Sequence, residues 1–151
     1  MKKVRLWTIQ DIRATNKLLQ SGTLRTDGRR VSYSFRTVYK VMMDQMTKRL
    51  PEYRGSYPIW CWYSPKPDLR NKAHLPAGTR GALIEIEVEV SRVLLSDFNS
   101  WHLILNGSPR SKKVLDSIFN QGKFAKDTII QGVVEKIDLQ DVARVKYFVA
   151  R

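Results

Sequence analysis

The side chains best equipped for chemistry in this chain of 151 residues fall between positions 57 and 70. Trp60, Trp62 and Tyr63 precede Lys66 and Arg70 within one short stretch. Aromatic rings stack on bases, each stack contributing about 1–3 kcal/mol, and basic side chains hold phosphates. Residues 59–63 have strand composition. A period of two puts Trp60 and Trp62 on one face, with Ile59, Cys61 and Tyr63 on the other. The tryptophans are then either a core pair or a stacking platform. Lys66 and Arg70 stand in a loop stiffened by Pro65 and Pro67, the kind of segment where functional residues concentrate.

Two further polar groups invite a role. Gln10 follows the first strand at a strand-to-helix junction, where a side chain either meets a ligand at the sheet edge or is simply solvated. Gln131 and Glu135 lie four apart with Val133 between them, so one strand would point all three to one face. Such a polar pair either serves a partner or faces water. Metal chemistry has no ligand cluster to use, since the chain holds one cysteine and the two distant histidines His74 and His102. A Gly-x-Ser-x-Gly elbow, a phosphate-binding P-loop and a Gly-x-Gly-x-x-Gly turn are all missing.

Charge narrows the partner. The chain carries 27 basic and 14 acidic residues, a net +13. That excess favours nucleic acid, an anionic surface or an acidic protein. It is uneven: residues 1–54 carry 13 basic and 4 acidic side chains, whereas residues 127–151 carry four of each. Arg29 and Arg30 belong to the first basic group. Arg110, Lys112, Lys113, Lys123 and Lys126 form a second, and a polyanion is expected on the face the two groups share. The lone Cys61 forms no intrachain disulfide, which fits a reducing, cytoplasmic setting. The basic start lacks the apolar core of a signal peptide, and no apolar run approaches the roughly 20 residues that span a bilayer.

The elements that must position these residues suggest one α+β domain over residues 1–151, with a mixed or antiparallel sheet and two N-terminal helices. Residues 4–9 read as a first strand, with Thr8 in a capping pattern ahead of a helix that carries Ile12, Thr15, Leu18 and Leu19 and stops at Gly22. Ser34 can cap a second helix whose stripe is Phe35, Val38, Tyr39, Met42, Met46 and Leu50, ended by Pro51. Its methionines are expected in the core. Gly81 opens a strand in which Ile84, Ile86, Val88 and Val90 alternate with Glu85, Glu87 and Glu89; the acidic face either pairs with a basic neighbour or turns away from the polyanion. A short strand over 93–96 leads to Asp97, which caps a helix carrying Phe98, Trp101 and Leu105. A turn over 106–109, a short helix with Val114, Leu115, Ile118 and Phe119, and strands over 129–137 and 144–149 complete the chain.

Several of these motifs together resemble an uncharacterised family, a domain of unknown function found in bacteria and their phages. They are Leu6-Trp7-Thr8-Ile9-Gln10, the helix with Met42 and Gln45-Met46, Pro58-Ile59-Trp60-Cys61-Trp62, Lys66-Pro67-Asp68-Leu69-Arg70, and Leu94-Leu95-Ser96-Asp97-Phe98 with Trp101 and Asn106. A second, weaker likeness is to ADP-ribosyltransferases that modify DNA bases. Their first strand ends in a Thr-His pair that holds NAD, and a late Gln-Ala-Glu strand supplies the catalytic glutamate. Here Thr8 and Gln10 lie near the first place, with Gln10 where histidine is expected. Residues 130–135 lie near the second, with Glu135 two residues late.

That likeness implies NAD as cofactor and nucleic acid as acceptor. Thr8 and Gln10 would hold the nicotinamide ribose and Tyr39 would stack on the ring. Glu135 would be the catalytic carboxylate, with Gln131 aiding the acceptor. Lys66, Arg70, Arg29, Arg30, Lys112 and Lys113 would contact nucleic acid, in a phage–host conflict setting. The alternatives are a non-enzymatic nucleic-acid binder, which needs only the charge and the aromatic–basic segment, and a basic protein that blocks an acidic host protein. Convergence of Gln10, Tyr39 and Glu135 on one pocket separates the first reading from the others. The oligomeric state is left open.

Overall fold

In the computed structural model, the first strand, β1 (Lys3–Asp11), runs through the middle of the molecule. The structure describes residues 2–72, 74–107, 111–120 and 123–151. β1 is flanked by β3 (Ile59–Ser64) and β4 (Arg80–Glu89), each antiparallel to it. Outward from β3 lie β6 (Ile130–Val134) and then β5 (Val93–Asp97); outward from β4 lies β8 (Val142–Val149). The result is an antiparallel six-stranded sheet in the order β5-β6-β3-β1-β4-β8. A second, two-stranded sheet pairs β2 (Thr23–Leu24) with β7 (Ile137–Asp138). The chain therefore has an α+β fold, with the sheet antiparallel.

Strand alternation divides the core in two. Leu6, Ile59, Cys61, Ile84, Ile86 and Val134 point to one face, where α1 (Ile12–Ser21) packs through Leu18. Trp60, Leu94 and Val133 point to the other. That second face is covered by α2 (Tyr33–Arg49), α3 (Phe98–Leu105) and α4 (Lys112–Ile118), through Met42, Met46, Trp101, Ile104 and Ile118. Both methionines are fully buried, as a core stripe requires. Among the described residues no helix is long and apolar enough to cross a membrane.

Local chemistry explains most of the boundaries. The Asp11 carboxylate accepts the Ala14 amide and opens α1; Gly22, at φ +85°, closes it in the left-handed conformation that favours glycine. Thr8 is not part of that cap. It lies inside β1, fully buried, and its hydroxyl donates to the Trp60 carbonyl at 2.8 Å. Ser32, immediately before Tyr33, takes the N-cap place expected for Ser34; its hydroxyl bonds the Ser34 hydroxyl at 3.0 Å and makes no capping bond to the helix backbone. Asp97 caps α3 by accepting the Ser100 amide. The acidic face of β4 meets its basic neighbour: Arg5 of β1 donates to Glu87 at 2.6 Å, and Trp7 Nε1 donates to Glu85 at 3.0 Å.

The expected strand over 129–137 is corrected. β6 stops at Val134, and the chain turns at Glu135 and Lys136 before Ile137 and Asp138 join the small sheet. Gln131 and Val133 share a face as expected, but Glu135 has left the strand, so the period of two no longer governs it.

Candidate functional site

Gln131 of β6 stands opposite Trp62 of β3 on one side and Ser96 of β5 on the other. Paired residues of neighbouring strands point to the same face, so this row lies beneath the helical layer. Two positions along, Trp60, Val133 and Leu94 make the next row. α3 folds back from Asp97 over these rows and brings Phe98, Trp101 and His102 above them, while α2 contributes Tyr39. The outcome is a cleft of about 220 Å³ walled by Tyr39, Trp60, Trp62, Phe98 and Trp101, with Gln131 in its lining.

The rings are in contact. Phe98 lies 4.9 Å from Trp62 and 4.1 Å from His102, centroid to centroid. Tyr39 lies 5.5 Å from Trp60, and Trp60 6.1 Å from Trp101. Burial pushes the Tyr39 phenol above its ordinary value. The polar groups are few. Gln131 is 5 % exposed and its Nε2 has no hydrogen-bond partner. The buried Ser96 hydroxyl beside it is likewise unpaired. His102 Nδ1 sits 2.8 Å from the Phe98 carbonyl. A carbonyl only accepts, so Nδ1 is the donor in this contact.

The cleft continues outward past Trp62, Phe98 and His102 into a wider depression of about 540 Å³ whose far wall is Lys66, Asp68, Asn71 and His74. The loop is tied together from within. Asp68 accepts the Arg70 backbone amide and its guanidinium, at 2.8–3.2 Å. Those bonds hold the Asp68 carboxyl down at about 2. The Asp68 carbonyl accepts from His74 Nε2 at 3.0 Å. Arg70 is thus committed to Asp68, whereas Lys66 forms no ion pair among the described residues and stands exposed at the lip.

The other expected site residues are scattered. Gln10 donates to the Thr8 hydroxyl at 2.8 Å and borders a different groove, on the α1 face of the sheet. Tyr39 lines the aromatic cleft on the opposite face. Glu135 borders a third depression, with Tyr53 and Arg92. Its carboxylate accepts the backbone amides of Arg54, at 3.0 and 3.1 Å, and Ser56, at 3.0 Å, with Arg25 3.9 Å away. Burial and the Glu135 charge push the Tyr53 phenol up to about 12. Glu135 therefore staples the 53–56 loop to the end of β6. Gln10, Tyr39 and Glu135 do not share a pocket.

The basic groups divide in the same way. Arg30 borders the α1-side groove, Arg29 is held by Asp27, and Lys112 and Lys113 are exposed on α4 in the opposite layer. Arg110 lies outside the described residues. The cleft residues to which sequence reasoning gave no functional role are Phe98, Trp101 and His102. The one signal for them was the Asp97 cap, which fixes where α3 begins and so which of its residues turn towards β6.

Comparison with protein-family models matches residues 5–127 to a domain of unknown function, DUF3841. The match spans most of the chain, and the chain belongs to that family. Searches of curated proteins and of solved structures return no match.

Proposed function

We propose that this member of the family binds single-stranded nucleic acid, seating an unstacked base in the aromatic cleft. The observation that carries this reading is the Gln131 amide: buried, unpartnered and set among aromatic rings. A buried donor without an acceptor costs about 1–3 kcal/mol, so the site is completed by a ligand that brings an acceptor. A flat ring with acceptors on its edge fits both the walls and the amide, and stacking of this kind tolerates any base. Only a base outside a duplex can enter such a cleft. Lys66 at the lip is placed for the flanking phosphate, and the net charge of +13 supplies long-range attraction.

The NAD-dependent transferase reading draws no such support. It needs Gln10, Tyr39 and Glu135 around one ligand, and they face three separate depressions. The acidic-protein reading rests on charge alone, which leaves the aromatic walls without a use.

The test is a titration of single-stranded and duplex DNA of one sequence over a range of salt. The expected result is tighter binding of the single strand, with affinity falling linearly on a log–log salt plot. Equal affinity for both forms, or no binding at low salt, overturns the proposal.

A further inference from the structure

On the opposite face of the sheet, a groove of about 230 Å³ runs between α1 and the segment after β2. Its floor is apolar, from Ala14, Leu24 and Ile59. Its rim carries four cations: Arg13 and Lys17 from α1, Arg25, and Arg30 from the turn at 28–30. Arg13 and Lys17 are four residues apart, so they stand side by side on the helix. The one carboxylate on the groove, Asp27, is already occupied. It accepts the Arg29 amide and guanidinium at 2.9–3.2 Å, bonds that hold it below the usual carboxylate range. Arg25 is partly compensated by Ser56 and Glu135. Arg13, Lys17 and Arg30 form no ion pair among the described residues. Converging like charges are unfavourable unless an anion joins them, and guanidinium and ammonium groups around a concave floor match phosphate oxygens.

We infer that this groove is a second site, which binds a ligand carrying two adjacent phosphates. It is separate from the aromatic cleft: Ile59 borders the groove, the next residue, Trp60, borders the cleft, and the sheet lies between them. The apolar floor favours a phosphate ligand with a flat organic part over inorganic phosphate alone. Such phosphates come either from a free nucleotide or from a nucleic-acid backbone.

Calorimetric titration of the full chain with inorganic pyrophosphate and with ADP tests the inference. Pyrophosphate, which has no base, is expected to bind saturably at one site; ADP should bind the groove more tightly, with any binding of its base in the aromatic cleft seen as a second event lost in Trp62→Ala. A Lys17→Ala/Arg30→Ala double variant should weaken both by at least about ten-fold, since it removes two charge-assisted contacts to phosphate oxygens. A Lys112→Ala/Lys113→Ala variant removes the same charge from the opposite layer and should leave both groove affinities unchanged; Trp62→Ala should leave pyrophosphate binding unchanged. Equal losses in the two lysine/arginine variants would mean diffuse charge attraction and overturn the site. So would the absence of saturable binding. Adding a saturating oligonucleotide then identifies the source: displacement of pyrophosphate assigns the groove to a nucleic-acid backbone, and retention assigns it to a free nucleotide. Because Trp62→Ala affects only the cleft, failure of the groove and failure of the base-binding proposal are distinguishable.

Discussion

Trp62 and Gln131 face each other across β3 and β6, in register, and place an indole ring beside an unpaired buried amide. The Gln131 Nε2 makes no hydrogen bond among the described residues. An apolar side chain of similar length would pack the same row without a stranded donor. Gln131→Leu is therefore expected to raise stability by about 1 kcal/mol, the size of one unmet hydrogen bond, while weakening oligonucleotide binding. Urea denaturation measured alongside binding checks both halves. A less stable Gln131→Leu variant would mean that the amide has a structural partner.

Glu135 is expected to behave as a structural residue. Its carboxylate accepts two backbone amides, from Arg54 and Ser56, and the amide of glutamine replaces one acceptor oxygen with a donor. Glu135→Gln should cost about 1–3 kcal/mol in chemical denaturation and leave oligonucleotide affinity within two- to three-fold, roughly the scatter of a neutral change. Loss of NAD-dependent nicotinamide release at unchanged stability would instead restore the catalytic role that the transferase likeness implies.

Asp68 restrains Arg70. Its carboxyl sits at about 2, lowered first by the Arg70 side chain and then by the Arg70 backbone amide. A depressed carboxyl contributes order above its unfolded value, near about 3.9, and loses that contribution as pH falls through about 2. The loop contact is thus intact at every pH where binding is measured. Asp68→Asn should release Arg70 and remove a negative charge from the rim, so affinity for an oligonucleotide should rise and its salt dependence steepen. Unchanged affinity and slope would show that the loop lies away from the nucleic acid.

Cys61 points into the α1-side core at 2 % exposure, and burial pushes its thiol up to about 12. With almost no thiolate at neutral pH, it should resist alkylation by iodoacetamide in the folded protein and react only after denaturation. Labelling followed by mass spectrometry reads this directly; rapid modification of the native chain would contradict the placement.

Much of this arrangement was legible because it is local. The alternation of residues 59–63 put Trp60 and Trp62 on one face, and the fold keeps them there. Gly22 and Asp97 marked helix ends through backbone chemistry that two or three residues decide. What was not legible depends on distant chain. Glu135 leaves its strand because Ile137 and Asp138 pair with β2, over a hundred residues earlier, and no period in the sequence announces that. Phe98 and His102 enter the cleft because α3 folds back over β6. The first basic group splits across the sheet: Arg13 and Lys17 of α1 lie on one side, while Lys40 and Lys48 of α2 share the other side with Lys112 and Lys113 of α4, a division that linear order does not show.

The most direct measurement is fluorescence anisotropy of a dye-labelled single-stranded oligonucleotide at low salt, with the native chain and with Trp62→Ala. If a base stacks on Trp62, the native chain binds saturably and the variant binds about ten-fold or more weakly, in line with the 1–3 kcal/mol of one aromatic stack. Equal affinities in a folded Trp62→Ala variant would show that the cleft does not hold a base.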